Sequence, residues 1–267
     1  MSPMPTAPPL KEDPVRIEVC GTAEELAGHA ASMFVAQAAR ALGSRGLFTV
    51  ALSGGRTPRR MYELLGQDHL AHQVVWPAVH VFFSDERCVP PDDDRSNYGM
   101  ARRALLSKLP LPPSNVHRMR GEDPDPSAEA ARYEREIRDI TGDPPRLDMV
   151  LLGMGEDGHT ASLFPADAAL GETRRLAAAV RIPDGTSRLT ITLPAINAAR
   201  LVAVIVSGER KAPMLQRVLG SGGAERIHTG LPIGAVRPSG GQLLWLLDSA
   251  AASMLQPPDA PHGAAGA

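Results

Sequence analysis

Two kinds of residue in this sequence are placed where chemistry could use them: cations beside glycines, and a histidine two positions after an aspartate. Ser53-Gly54-Gly55-Arg56-Thr57 reads as an anion cradle. Glycines let backbone amides approach a ligand closely, and the start of a following helix directs unpaired N–H groups at it. Arg56 would add a charge-assisted contact to a phosphate. Read alone, the stretch fits a tight turn with Thr57 as a helix cap equally well. It is not a Walker loop, because Gly-x-x-x-x-Gly-Lys-Ser/Thr is absent there. Arg87 and Lys211 are the other candidate anion ligands, with Asp85 beside Arg87 in the same candidate substrate-binding set. Each cation also has a plainer reading. Arg87 could be ion-paired to Asp85, Glu86 or the run Asp92-Asp93-Asp94, and Lys211 could be an exposed helix residue.

Gly153-Met154-Gly155-Glu156-Asp157-Gly158-His159 contains the literal G-x-G-x-x-G of dinucleotide-binding turns. Glu156 and Asp157 would then face a pyrophosphate of their own sign, and the spaced acid, Glu172, follows no strand. Proton transfer suits the segment better. An imidazole can take a proton from water near neutral pH, and a neighbouring carboxylate can hold its tautomer. His159 and Asp157 are therefore the candidate catalytic pair, and the backbone N–H groups of Gly153, Gly155 and Gly158 are candidate oxyanion donors. His29, His69, His72, His80, His117, His228 and His262 read as structural or exposed. No Gly-x-Ser-x-Gly elbow is present, and no His-Glu-x-x-His or Cys/His spacing suggests zinc. What remains is hydrolysis of a phosphorylated small molecule by His-activated water, with no metal.

The chain of 267 residues, 43% hydrophobic and 22% charged, is long enough for one large α/β domain. Its 28 basic and 30 acidic residues leave no field for polyanions, and 4% aromatics leave little for base stacking, so no nucleic-acid partner is expected. Cys20 and Cys88 read as small buried thiols in a reducing compartment. No run approaches the roughly 20 apolar residues of a membrane span, and the start, MSPMPTAPPLKEDP, lacks the features of a signal peptide. A cytoplasmic monomer is expected, with tails at 1–14 and 256–267 around a single domain at 15–255.

To bring the chemical segments together, the elements must be strands alternating with helices. VRIEVC (15–20), LFTVAL (47–52), AVHVFF (78–83), LDMVLLG (147–153), RLTITL (188–193), LVAVIV (201–206) and QLLWLL (242–247) read as strands, RLTITL with one exposed face. Thr22 and Glu25 form a capping box for a helix running to Leu42, with Gly43 as its stop. Pro58 lies in the first turn of the next helix. Further helices fit 97–109 behind Ser96, 128–141, a short one from Pro194, and one ending near Leu219; SDERCVPPDDDR reads as a loop. The alternation predicts a Rossmann-like, doubly wound, mainly parallel sheet with helices on both faces. In such a sheet the segments Ser53–Thr57, Ser84–Arg87, Gly153–His159 and Ser207–Lys211 all leave strand C-termini at one edge.

SGGRTP (53–58), SDERCVP (84–90) with Ser96-Asn97-Tyr98, LGMGEDGHTASLFP (152–165) and SGERKA (207–212) together resemble the four signatures of bacterial-type 6-phosphogluconolactonases. The resemblance covers nearly all of Val15 to Leu247. It implies a Rossmann-like sheet, no cofactor, a general base at His159, and hydrolysis of 6-phospho-D-glucono-1,5-lactone to 6-phosphogluconate in the oxidative pentose phosphate pathway. Glucosamine-6-phosphate deaminases are similar in fold but typically follow Asp-Gly-His with Ile-Ala-Phe-Asn-Glu-Pro. Here the loop continues Thr160-Ala161-Ser162-Leu163-Phe164-Pro165, without that Glu, and Asp85-Glu86-Arg87 stands where many deaminases have Asp-Glu-Tyr. Arg56 departs from the Ser that lactonases commonly carry. A silent sugar-phosphate sensor is the remaining alternative.

Overall fold

Val15–Cys20 (β1) leads into Ala23–Arg45 (α1) through the expected capping box. Glu25 donates its N–H to Thr22 Oγ1 at 3.1 Å, and its carboxylate accepts from Gly21 N–H at 2.9 Å. The helix does not stop at Gly43. It continues to Arg45 and closes on Gly46, whose φ of 75° is the left-handed cap and whose N–H reaches Leu42 O at 2.9 Å. One glycine inside a helix costs only about 1 kcal/mol, which the buried face at Ala38 and Ala41 outweighs. The computed structural model describes residues 15–182, 185–220 and 230–255, so the expected tails, His228 and His262 lie outside the described residues.

The following elements are Phe48–Leu52 (β2), Arg56–Leu65 (α2), Asp68–Ala71 (α3), Val79–Phe83 (β3), Asp85–Arg87 (β4), Asn97–Ala104 (α4), Pro126–Thr141 (α5) and Met149–Leu152 (β5). Ala177–Arg181 (β6), Ser187–Ile191 (β7), Leu193–Ala198 (α6), Leu201–Val206 (β8), Ala212–Leu219 (α7) and Gln242–Asp248 (β9) complete the described chain. Six strands form one sheet in the order β1-β9-β8-β5-β2-β3, with every neighbouring pair parallel. Alternate residues serve opposite faces. Phe48, Val50 and Leu52 of β2 and Met149 and Leu151 of β5 pack with α1, α2 and α4; Ala51, Val150 and Leu152 pack with α5, α6 and α7. Burial on both faces is why these strands read as unbroken apolar runs.

A second sheet, β4-β7-β6, is antiparallel and stands at the exit of β3. It holds three departures from expectation. Asp85–Arg87 is strand rather than loop, because it pairs with β7 in the register Asp85↔Thr190 and Arg87↔Arg188. β6, alanine-rich and without β-branched spacing, had no strand signal. The alternation of β7 is real, but its polar face is covered too: Thr190 and, just past the strand, Thr192 are fully buried like Leu189 and Ile191, and Thr190 Oγ1 donates to Ile191 O at 2.9 Å. In addition, α4 ends at Ala104 instead of running to 109, since Leu105 leaves helical geometry at φ −136°. Cys20 and Cys88 are free and half-buried, not buried.

From β2 the chain moves to β3 on one side, then returns so that β5 lies on the other. The loops leaving β2 and β5 therefore diverge, which opens a crevice at the C-terminal edge of the sheet.

Candidate active site

Ser53 ends β2 with its backbone clamped. Tyr62 O–H donates to Ser53 O at 2.9 Å and accepts from Ser53 N–H at 3.0 Å. Burial pushes the Tyr62 phenol well above its usual value, so it stays a donor. Gly55, at φ 109°, caps α2 with no side-chain hydrogen bond. The amides of the first turn thus face the crevice without a capping oxygen, and Thr57 lies inside the helix rather than at its cap. Ser53 Oγ is buried and has no protein partner.

Across the crevice, Arg87 is held by Asn97 and not by an acid. Its Nη1 donates to Asn97 Oδ1 at 2.6 Å and to Arg95 O at 2.7 Å, and its buried Nε has no partner. Asp93 is committed to Arg95 at 2.8 Å, which pulls its carboxyl down to about 2. Asn97 also donates Nδ2 to Asp85 Oδ1 at 3.0 Å and to Asp85 O at 2.9 Å. Ser162 Oγ donates to the other Asp85 oxygen at 2.8 Å. Asn97 itself is fixed by Glu86, whose buried carboxylate accepts from the N–H groups of Arg87, Asn97 and Tyr98 and from Ser96 Oγ. Burial raises the Glu86 pKa against the downward pull of those donors.

The loop after β5 carries the candidate proton-transfer pair. Asp157 Oδ1 meets His159 Nδ1 at 2.5 Å and accepts His159 N–H at 3.1 Å. Burial works to raise the Asp157 pKa, but the hydrogen bonds and charge of His159 outweigh it and hold the carboxyl below its usual value. With Nδ1 so engaged, Nε2 is the nitrogen left for chemistry. Gly155 makes room for the pair: a Cβ there would lie 2.1 Å from His159 Nδ1 and 2.4 Å from Asp157 Oδ1. Phe164 packs against the imidazole at 4.6 Å between centroids. Gly158, at φ 82°, seats the loop on Leu231 and Met214. The Gly155 and Gly158 amides donate to His159 O and Gly155 O, so the loop uses these two expected oxyanion donors to hold its own shape.

The fourth wall is the turn after β8. Asp248 on β9 accepts from Ser207 Oγ at 2.5 Å and from Gly208 N–H at 3.0 Å, fixing the turn that carries Lys211.

One cleft of about 300 Å³ is lined by Ser53 to Thr57, Asp85, Arg87, Gly153, Gly155, His159 and Lys211, which joins nearly all the residues singled out in the sequence. Asp157 and Gly158 are not part of this lining: Asp157 is exposed and Gly158 is buried. Arg188, Asn97 and Ala161 line it as well, although the sequence had not marked them as site residues. Arg188 is the register partner of Arg87 and lies over Phe164 at 5.8 Å. Its signal was the polar face of RLTITL, misread as exposed. Ala161 adopts φ 48°, a strained backbone at a turn that aims Ser162 at Asp85. Four cations, Arg56, Arg87, Arg188 and Lys211, face the cleft against the single carboxylate of Asp85, an excess that suits a dianionic phosphate ester.

The sequence profile of the family described as glucosamine-6-phosphate isomerases/6-phosphogluconolactonase matches residues 21–245. A 6-phosphogluconolactonase of a Nostoc species is 39% identical over 243 residues, covering 90% of this chain and 98% of the relative. One from Synechocystis is 40% identical, covering 82% of this chain and 89% of the relative. Among solved structures, a 6-phosphogluconolactonase from Trypanosoma cruzi superposes with a TM-score of 0.78 at 32% identity, over 91% of this chain and 97% of that one.

Proposed function

The chain belongs to the glucosamine-6-phosphate isomerase/6-phosphogluconolactonase family, and from that premise we propose that it hydrolyses 6-phospho-D-glucono-1,5-lactone to 6-phospho-D-gluconate, a step of the oxidative pentose phosphate pathway, with water activated by His159. The observation that carries this reading is the His159–Asp157 pair in the wall of a cleft whose opposite walls hold Arg87, Lys211 and the start of α2.

The phosphate sits against the first-turn amides of α2, with Arg87 and Lys211 neutralising its charge. Ser53 Oγ and Arg87 Nε, buried and unpartnered in the protein, are donors suited to its oxygens. Asp85, already accepting from Asn97 and Ser162, offers its remaining lone pairs to sugar hydroxyls. At the other end of the substrate, His159 Nε2 removes a proton from a water that attacks the lactone carbonyl. Asp157 holds the tautomer and stabilises the imidazolium that forms. The ring oxygen leaves on collapse of the tetrahedral intermediate, and the imidazolium returns the proton to it. Every residue given a role here comes from one chain, which supports a functional monomer.

Phe164 occupies the place where the deaminase-type loop carries Glu, and it sets an apolar ring against the imidazole. That position favours lactone hydrolysis over amino-sugar isomerisation. The test is a rate comparison with freshly generated lactone. Hydrolysis well above the spontaneous rate supports the proposal, whereas ammonia release from glucosamine 6-phosphate, or binding without acceleration, replaces it.

A further inference from the structure

A second cavity, of about 450 Å³, lies at the opposite, N-terminal edge of the sheet. It is formed where α1 ends and where β5, β8 and β9 begin. Arg40 and Arg45 come from the last turns of α1, Arg146 precedes β5, and Arg200 precedes β8. Asp148 is the one acid among the described lining residues.

Asp148 is already committed. Its Oδ1 pairs with Arg45 at 2.7 Å and with Arg200 at 3.3 Å, and its Oδ2 accepts from Thr49 N–H at 2.9 Å and Thr49 Oγ1 at 3.1 Å. Arg146 feels the charge of Asp148 but forms no ion pair with it; its Nη2 donates to Gly240 O, and its Nε is buried with no partner. Arg40 forms no ion pair among the described residues. The carbonyl end of α1 adds about half a negative charge, which together with Asp148 still falls well short of four guanidinium groups. Burial first, and then the charges of Arg200 and Arg45, hold the Arg146 pKa below its usual value, as expected where like charges are crowded. Gly241 must be glycine, since a Cβ would lie 2.2 Å from Ala199 O; this keeps the floor of the cavity close to the strand starts.

We infer that this arginine cavity is a second binding site, distinct from the catalytic cleft, for a small ligand bearing a phosphate or diphosphate group. Arg146 and Arg40 supply the uncommitted donors, Arg45 and Arg200 supply charge while neutralising Asp148, and the open cavity admits the rest of the ligand. The site lies at the start of β5 and β8, whose other ends border the catalytic cleft, roughly 17 Å away along β8 at about 3.3 Å per residue.

The test is site-resolved. Inorganic phosphate and pyrophosphate are titrated separately into the full chain labelled with ¹⁵N, and the amide signals of Gly240, Gly241 and Gln242 are followed beside those of Gly54 and Gly55. Saturable shifts at Gly240 to Gln242 are expected with at least one of the two anions. The double variant Arg40→Gln/Arg146→Gln leaves Arg45 and Arg200 on Asp148, so it keeps the fold and lactone turnover. It should weaken saturation at Gly240 to Gln242 about tenfold while leaving Gly54 and Gly55 unchanged. Arg40→Glu alone, on an exposed side chain, should weaken it in the same direction. Amides at 240–242 that do not move with either anion, or whose saturation is indifferent to Arg40 and Arg146, would overturn the site.

Discussion

The carboxamide of Asn97 fills the space that any side chain on Gly54 would need: a Cβ at Gly54 would lie 1.9 Å from Asn97 Oδ1. The loop after β2 and the start of α4 are thereby coupled, because the same oxygen accepts from Arg87. Gly54→Ala must displace Asn97 and release Arg87. The expected result is a KM about tenfold higher, the scale of losing one charge-assisted hydrogen bond, with a smaller change in kcat. Steady-state kinetics on fresh lactone check it, and an unchanged KM would contradict the coupling.

Gly155→Ala strikes the proposed proton-transfer pair through sterics alone, since its Cβ would overlap both His159 Nδ1 and Asp157 Oδ1. We expect kcat to fall roughly 10²-fold, as for His159→Ala, with little change in KM. Adding Gly155→Ala to His159→Ala should cost nothing further, because the two act on one step. Additive losses would place the effect of Gly155 elsewhere.

Arg87→Ala and Lys211→Ala should raise KM for the phosphorylated lactone by about tenfold or more each. They should leave the slow hydrolysis of unphosphorylated glucono-lactone nearly unchanged. Equal losses on both substrates would show that these cations serve the reacting carbonyl instead of the phosphate.

Stability should depend on His80. Its Nδ1 contacts His117 Nε2 at 3.0 Å, and His117 Nδ1 contacts Glu136 at 2.8 Å. Burial, and then the charge of His117, holds the His80 pKa below the ordinary imidazole value. The unfolded chain therefore binds the proton more readily, so stability rises with pH up to about 6.5 and is lost as pH falls below it. Melting temperatures of His80→Gln should vary less than those of the parent between about pH 5 and 7. An identical slope would assign the acid sensitivity to another group.

What could be read from the sequence was set by the range of each cause. The cap of α1 was legible because Thr22 and Glu25 are three residues apart and act on each other. β2, β5, β8 and β9 were legible because burial on both faces writes an apolar run. β4 was not, because Asp85–Arg87 owes its strand geometry to β7, about a hundred positions later. The site divides in the same way. Asp157 and His159 meet through their own loop, and the glycines around them announce it. Arg188 reaches the cleft only because β7 pairs with β4, and Asn97 gains its role from Glu86, Asp85 and Arg87 converging on it. Ordering by strand ends found the edge of the sheet, while tertiary pairing decided which further side chains face it.

Asp248 has a consequence for synthesis. It belongs to the last strand among the described residues, yet it pins the turn that presents Lys211. The ribosome must therefore deliver the chain past residue 248 before the wall of the cleft that carries Lys211 can be set. A nascent chain that already contains His159 but stops shortly before residue 248 lacks the carboxylate that fixes the Lys211 turn.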